Sequence, residues 1–290
     1  LKEDYEKKGH QVYIFAPKFK DYHDNESHVF RYRSVNLTNK VKYPIAIPLS
    51  MKASRIINDF NPGIIHIHHP FVLSLPAIMY GERLGIPKVL TLHTQYDQYA
   101  AYVSPIPKKI THEAIRIILN NLADKVDIIT VPSFSMKKIL DKYGIEKKIR
   151  IVPNAINVSA FQKKDEVKCE ALKRKYNIKP DEIVLLYVGR ISYEKNIDKI
   201  IEALAVIIEK NYKKVKLLLV GEGPSLRHLN DLVETLGIKK WVIFVGAIDN
   251  ELVRHYYHIS DIFTFASTAE TFGIVIIEAM ASGLPVLAVR

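Results

Sequence analysis

The stretch "DIFTFASTAETFGIVIIEAMASGLPVLAV", residues 261–289, decides the fold of this chain. It starts as a short apolar, β-rich run and breaks at polar residues and Gly273. It continues as a helical pattern over 274–281 and closes on a second β-rich run, "PVLAV". Two such strands with a helix between them read as a β-α-β unit. Strands buried on both faces of a parallel sheet lose the polar alternation of a half-exposed one. The alternation runs through the chain. "QVYIFAP" (11–17), "IIHIH" (64–68), "KVLTLH" (88–93) and "VDIITVP" (126–132) form a first set. "EIVLLYVG" (182–189), "VKLLLVG" (215–221), "WVIFVG" (241–246) and "DIFTFAS" (261–267) form a second. Helical patterns at 73–84, 106–123, 196–210 and 225–236 lie between them, and a polar, charged segment at 157–182 separates the sets. The expected class is α/β: two Rossmann-like, doubly wound parallel-sheet domains, 1–160 and 161–290, facing a cleft.

Composition agrees with a globular chain. The 290 residues are 48% hydrophobic and 25% charged, enough for about two domains. The single cysteine, Cys169, excludes an internal disulfide framework and suits a reducing compartment. No apolar run reaches the roughly 18 residues that span a bilayer. Charge is uneven. Residues 1–160 carry 23 Lys and Arg against 14 Asp and Glu, and residues 161–290 carry 19 against 17, so +9 and +2 make up the chain's +11. The basic half suits an anionic partner or, equally, a solvated basic face. Nucleic acid is not expected, because no reading motif accompanies the charge. The opening "LKEDYEKKGHQVYIF" reads as the end of a helix feeding a strand, and the chain ends on a strand. Both domains are therefore expected to be incomplete, the first lacking its first strand and the second its C-terminal part.

In doubly wound sheets ligands bind beyond the carboxyl ends of the strands, so the loops after strands hold the candidates. "VGRISYEKN" (188–196) places Arg190 and Lys195 beside Asn196, which reads as the N-cap of the next helix. Two cations at a helix start suit a diphosphate. "VGEGPSL" (220–226) is a glycine turn but lacks the G-x-G-x-x-G spacing of a dinucleotide fingerprint. Glu270 lies in the loop after the strand at 261–267, positioned for sugar hydroxyls. Glu278 sits among Ile276, Ile277, Ala279 and Met280 and needs a partner. A ribose diol or a nearby lysine would serve. His93 ends a strand and His66, His68 and His69 cluster before it, but no Cys or acid completes a metal set there, so no metal is expected.

Together "ETFGIVIIEAMASGLPV", "GRISYEKN", "GEGP", "PGIIHIHHP" (62–70) and "IVPNAIN" (151–157) resemble the retaining glycosyltransferases of family 4, with their GT-B fold and E-x7-E signature. The last motif departs from the family at Ala155 and Asn157. The resemblance implies that Arg190 and Lys195 hold the diphosphate of a nucleotide sugar, Glu278 the ribose and Glu270 the donor sugar. It also implies a nucleotide-side loop at Gly221 and Glu222, close backbone approach at Phe272, Gly273 and Ile274, and His93 near the reaction centre. No cofactor is required, the nucleotide sugar being a substrate. "HTQYDQYAAY" with "PIPKK" looks closest to bacterial-type members that glucosylate diacylglycerol. Tyr96, Tyr99, Tyr102, Lys108, Lys109 and Arg116 then form an acceptor side against an anionic membrane, with Ile110, Ile117 and Ile118 as the apolar contribution. UDP-glucose is the favoured donor and a lipid or sugar the acceptor, with a non-catalytic nucleotide-sugar-binding remnant as the alternative; the expected location is the cytoplasm, with the inner face of the plasma membrane as a peripheral attachment site.

Overall fold

The computed structural model describes residues 2–19, 22, 24, 26–35, 44–96 and 107–289. Tyr99 and Tyr102 fall outside them. The chain divides into two compact units, Leu1–Pro153 and Asn154–Arg290.

The second unit is one five-stranded parallel sheet. Its strands are β9 (Ile183–Val188), β10 (Val215–Val220), β11 (Val242–Gly246), β12 (Ile262–Phe265) and β13 (Val286–Ala288). They lie in the order β11-β10-β9-β12-β13. Counted within the unit this is 3-2-1-4-5, the Rossmann order, and the direction of winding reverses between β9 and β12. Leu186, Tyr187, Leu217, Leu218, Leu219 and Phe263 are fully buried, as strands covered on both faces require. Helices Ile197–Glu209, Leu226–Thr235, Asn250–His258 and Ile274–Ala281 alternate with the strands. The unit begins earlier than the expected 160/161 boundary. The segment read as a polar linker folds into helices Val158–Gln162 and Glu166–Lys175, which pack on helices Ile274–Ala281 and Asn250–His258 respectively. Cys169 and Leu172 supply the apolar face that the surrounding lysines hide in the sequence.

The first unit holds a four-stranded parallel sheet, β5 (Ile65–Ile67), β6 (Lys88–Thr91), β7 (Ile128–Val131) and β8 (Ile149–Ile151), in sequential order. A parallel pair, β1 (Ile14–Pro17) and β2 (Val29–Tyr32), and a short antiparallel pair, β3 (Ser34–Val35) and β4 (Ile45–Ala46), precede it. Sequence reading missed β2 and β8. Both are short, and Arg31 and Arg150 interrupt their apolar runs. Helix Met51–Phe60 was missed as well. Its start is marked only by Ser50, whose hydroxyl accepts from the Ala53 amide.

Two turns of the second unit press against each other. A Cβ on Gly221, at φ +135°, would lie 1.9 Å from the Gly189 carbonyl oxygen, and one on Gly223 would lie 2.1 Å from that of Ile191. The Ile191 amide donates to the Glu222 carbonyl at 2.9 Å, and the Ser225 amide to that of Ile191 at 3.1 Å. Gly223→Ala must therefore push backbone against backbone. We predict a loss of about 1–3 kcal/mol or more, read as a lower urea midpoint at unchanged slope. An unchanged midpoint would show that the two turns can separate freely.

Candidate functional site

The loops after β9 and β12 emerge side by side where the winding reverses, because β9 and β12 pair directly (Ile262 with Leu185, Phe263 with Leu186). The β9 loop carries Arg190 and, in a short 3-10 turn (Tyr193–Lys195), Lys195. The β12 loop carries Glu270. The Lys195 ammonium donates to Glu270 Oε2 at 2.9 Å, with both side chains mostly withdrawn from solvent. Glu270 Oε1 accepts from the Thr271 amide at 3.2 Å. Two residues assigned to different parts of a ligand thus hold each other.

Asn196 is corrected. It precedes helix Ile197–Glu209 but makes no side-chain cap, and it adopts the left-handed conformation at φ 50°. Its amide donates instead to the Ala266 carbonyl at 3.0 Å and the Thr268 hydroxyl at 3.4 Å. This ties the β9 loop to the β12 loop. Beneath them the buried Tyr187 hydroxyl donates to the Arg190 carbonyl at 3.0 Å, fixing the backbone from which Arg190 leaves. Burial pushes the Tyr187 phenol up, so it stays a neutral donor.

Gly273, at φ 70°, opens helix Ile274–Ala281, which carries Glu278 half-buried. Phe272 is partly buried beside Gly273, and Ile274 is exposed. Among the described residues the partner of Glu278 is a tyrosine rather than a lysine. The Tyr257 hydroxyl donates to Glu278 Oε2 at 2.9 Å. Sequence reading missed Tyr257, because it lies on helix Asn250–His258, which carries no motif of its own. Burial raises the Glu278 carboxyl above the usual range, and the bond from Tyr257 opposes but does not cancel this. Gly221 and Glu222 lie in the turn pressed on Gly189–Ile191, with the Glu222 side chain exposed.

In the first unit, His93 follows β6. Its Nε2 and His68 Nδ1 share a hydrogen bond at 3.0 Å, with the rings stacked at 5.3 Å. His66 Nε2 meets the Thr91 hydroxyl at 2.6 Å, which in turn meets Thr130. Desolvation holds His66, His69 and His93 below the usual histidine range. His68, also repelled by His66 and His93, falls to about 4. His66 and His68 keep exposed edges. Tyr96 packs edge-on against Phe71 at 5.2 Å. Helix Lys108–Asp124 buries Ile115, Leu119 and Leu122. Ile110, Ile117 and Ile118 remain exposed at 60%, 49% and 41%, Lys109 is exposed, and Arg116 is held by Glu113 at 2.6 Å.

Residues 1–160 match the family described as Glycosyltransferase Family 4, and residues 168–290 match Glycosyl transferases group 1. Two relatives are alpha-monoglucosyldiacylglycerol synthases. The one from Streptococcus pneumoniae is 35% identical over 99% of this chain and 66% of its own length. The one from Acholeplasma laidlawii is 32% identical over 99% and 74%. The chain thus spans about two thirds to three quarters of these relatives. Among solved structures, Anabaena HepE in complex with UDP and glucose superposes with a TM-score of 0.70 at 19% identity, covering 90% of this chain and 66% of that one. The glycosyltransferase WaaG, involved in lipopolysaccharide biosynthesis, superposes at 0.73 and 19% identity, covering 99% and 74%. The fold is GT-B.

The raised Glu278 carboxyl gives a signed prediction. A carboxyl with a higher pKa folded than unfolded binds more protons in the native state across that window. Stability from this group is therefore present below the unfolded pKa and lost as pH rises through the folded one. Glu278→Gln keeps an acceptor for Tyr257 without the charge. Thermal melts should show the variant at or above wild type at neutral pH, with the gain fading in acid. A lower Tm of the variant at neutral pH would mean that the ionised carboxylate itself helps hold the fold.

Proposed function

Since the chain belongs to glycosyltransferase family 4, we propose that it moves a hexose, glucose above all, from a nucleotide sugar, UDP-glucose above all, to a diacylglycerol-type lipid with retention of configuration. The observation that carries this reading is the meeting of Lys195 and Glu270 at the reversal of the strand order, with Glu278 on the helix leaving the same loop.

In this reading the donor diphosphate takes up Lys195 and Arg190, a bidentate-capable guanidinium beside an ammonium. Glu270 then keeps one oxygen on Lys195 and turns the other to a hydroxyl of the transferred sugar. Glu278, steadied by Tyr257, accepts from the ribose diol. Gly221 and Glu222 flank the nucleotide, and Gly273 lets the ligand approach the backbone. His93, a neutral imidazole, serves the acceptor side. The bond from the anomeric carbon to the phosphate oxygen breaks, and that to the acceptor oxygen forms on the same face. The acceptor proton passes to the departing phosphate oxygen, so no side chain need act as base. The protein supplies charge that matches the leaving diphosphate.

The lipid acceptor draws support from the names of the relatives and from the apolar stripe of Ile110, Ile117 and Ile118 beside Lys109. Among the described residues no helix is long and apolar enough to cross a membrane. A helix lying on an anionic surface needs only such a stripe and cations worth about 1 kcal/mol each.

Two outcomes test the reading. Lys195→Ala should lower kcat by about 10²–10³, the range for one preorganised charge-stabilising donor; an effect below threefold would reduce the loop to a turn. Separately, replacing Ile110 and Ile117 by Ser with Lys109 by Glu should remove salt-sensitive co-sedimentation with anionic vesicles while leaving UDP-glucose affinity unchanged. Sedimentation equal to wild type would favour a soluble sugar acceptor.

A further inference from the structure

The second unit holds a group of side chains that the glycosyl-transfer reading does not use. Cys169 lies on helix Glu166–Lys175, and His255 and His258 lie one turn apart on helix Asn250–His258, which packs against it. One ligand atom from each falls within 4.8 Å of the others. Cys169 is 1% and His255 2% exposed.

Buried imidazole nitrogens ordinarily find a partner. Among the described residues both ring nitrogens of His255 are buried without one, and so is His258 Nδ1. His258 Nε2 lies 2.7 Å from the Phe161 carbonyl oxygen. A carbonyl can only accept, so Nε2 carries the hydrogen and Nδ1 presents its lone pair to the group. A histidine whose remote N–H is fixed by a carbonyl is the arrangement metal-binding histidines use. His258 also borders a solvent-open cavity of about 550 Å³, lined further by Glu170, Asn177 and Asp261.

We propose that Cys169 Sγ, His258 Nδ1 and one ring nitrogen of His255 form a binding site for a zinc-like divalent cation, with water completing the set. One thiolate and two imidazoles match the sulfur and nitrogen preference of Zn²⁺ over that of Mg²⁺ or Ca²⁺. A shift of about 1 Å brings the ligand atoms to the spacing of a shared tetrahedral centre. On binding, the Cys169 S–H bond breaks, the proton leaves to water and the Sγ–metal bond forms. Arg254, Lys168 and Asp165 supply the charges acting at His255; the thiolate and Asp165 offset the two cations. The site is independent of the assigned activity but not remote from its parts. His255 and His258 bracket Tyr257, whose hydroxyl bonds Glu278, and the Phe161 ring packs edge-on to Tyr257. A bound cation would therefore pin the helix that positions Tyr257.

Cobalt(II) is the probe, because a cysteine ligand gives it a thiolate-to-metal charge-transfer absorption that histidines alone do not. The chain is stripped with chelator and titrated with Co²⁺, then with Zn²⁺. The expected result is a charge-transfer band saturating at one equivalent and bleached by Zn²⁺. The band should be absent in Cys169→Ser, and Co²⁺ affinity should fall at least tenfold in His258→Gln. Zn²⁺ should raise Tm of wild type but not of Cys169→Ser. Histidines 66, 68 and 93 could take up Co²⁺ without producing the band, which separates the two clusters. Wild-type protein, folded by circular dichroism, that develops no band would overturn the proposal, as would a band that persists in Cys169→Ser. If the Ser variant fails to fold, the wild-type titration decides alone.

Discussion

The second unit turns on the direct pairing of β9 with β12. Strands adjacent in space but separated in sequence by β10 and β11 leave their following loops side by side, and no helix can cover the gap between them. The diphosphate, sugar and ribose contacts proposed for the donor come from that gap. Arg190 and Lys195 leave β9, Glu270 leaves β12, and Glu278 rides on the helix that follows. The Asn196 amide and the Lys195–Glu270 pair then knit the two loops together. The glycine turns at 221 and 223 close the other flank of the β9 loop by an approach that no Cβ permits.

The polar groups of these loops answer one another. Lys195 and Glu270 neutralise each other across the two loops. Glu278 is half-buried against the Tyr257 hydroxyl, and burial raises its carboxyl above the usual range. The first unit follows a different rule. Its histidine cluster is uncharged at neutral pH because the rings crowd and desolvate one another, so it presents hydrogen-bonding edges without a field.

Helix Asn250–His258 links more of the second unit than its plain sequence suggests. Tyr257 reaches Glu278, Tyr256 meets Tyr176 hydroxyl to hydroxyl at 3.0 Å, His258 meets the Phe161 carbonyl, and His255 faces Cys169. One short helix therefore couples the packing of the 158–175 segment to the candidate ribose contact.

By itself the sequence determined the alternation of buried strands and helices, the helix at 274–281 and the loops that carry Arg190, Lys195, Glu270 and Glu278. These are local matters: hydrophobic period, glycine punctuation and position after a strand are written in consecutive residues. Short elements broken by charge, such as β2 and β8, fell below that signal. So did the helices at 158–162 and 166–175, whose apolar faces are a few residues among lysines. Only the tertiary structure decided who meets whom. Tyr257 answers Glu278, Lys195 answers Glu270, Asn196 spans two loops instead of capping its helix, and Cys169 faces two histidines far along the chain. Each of these pairs residues distant in sequence. Their meeting depends on strand order and helix packing, which no local pattern encodes.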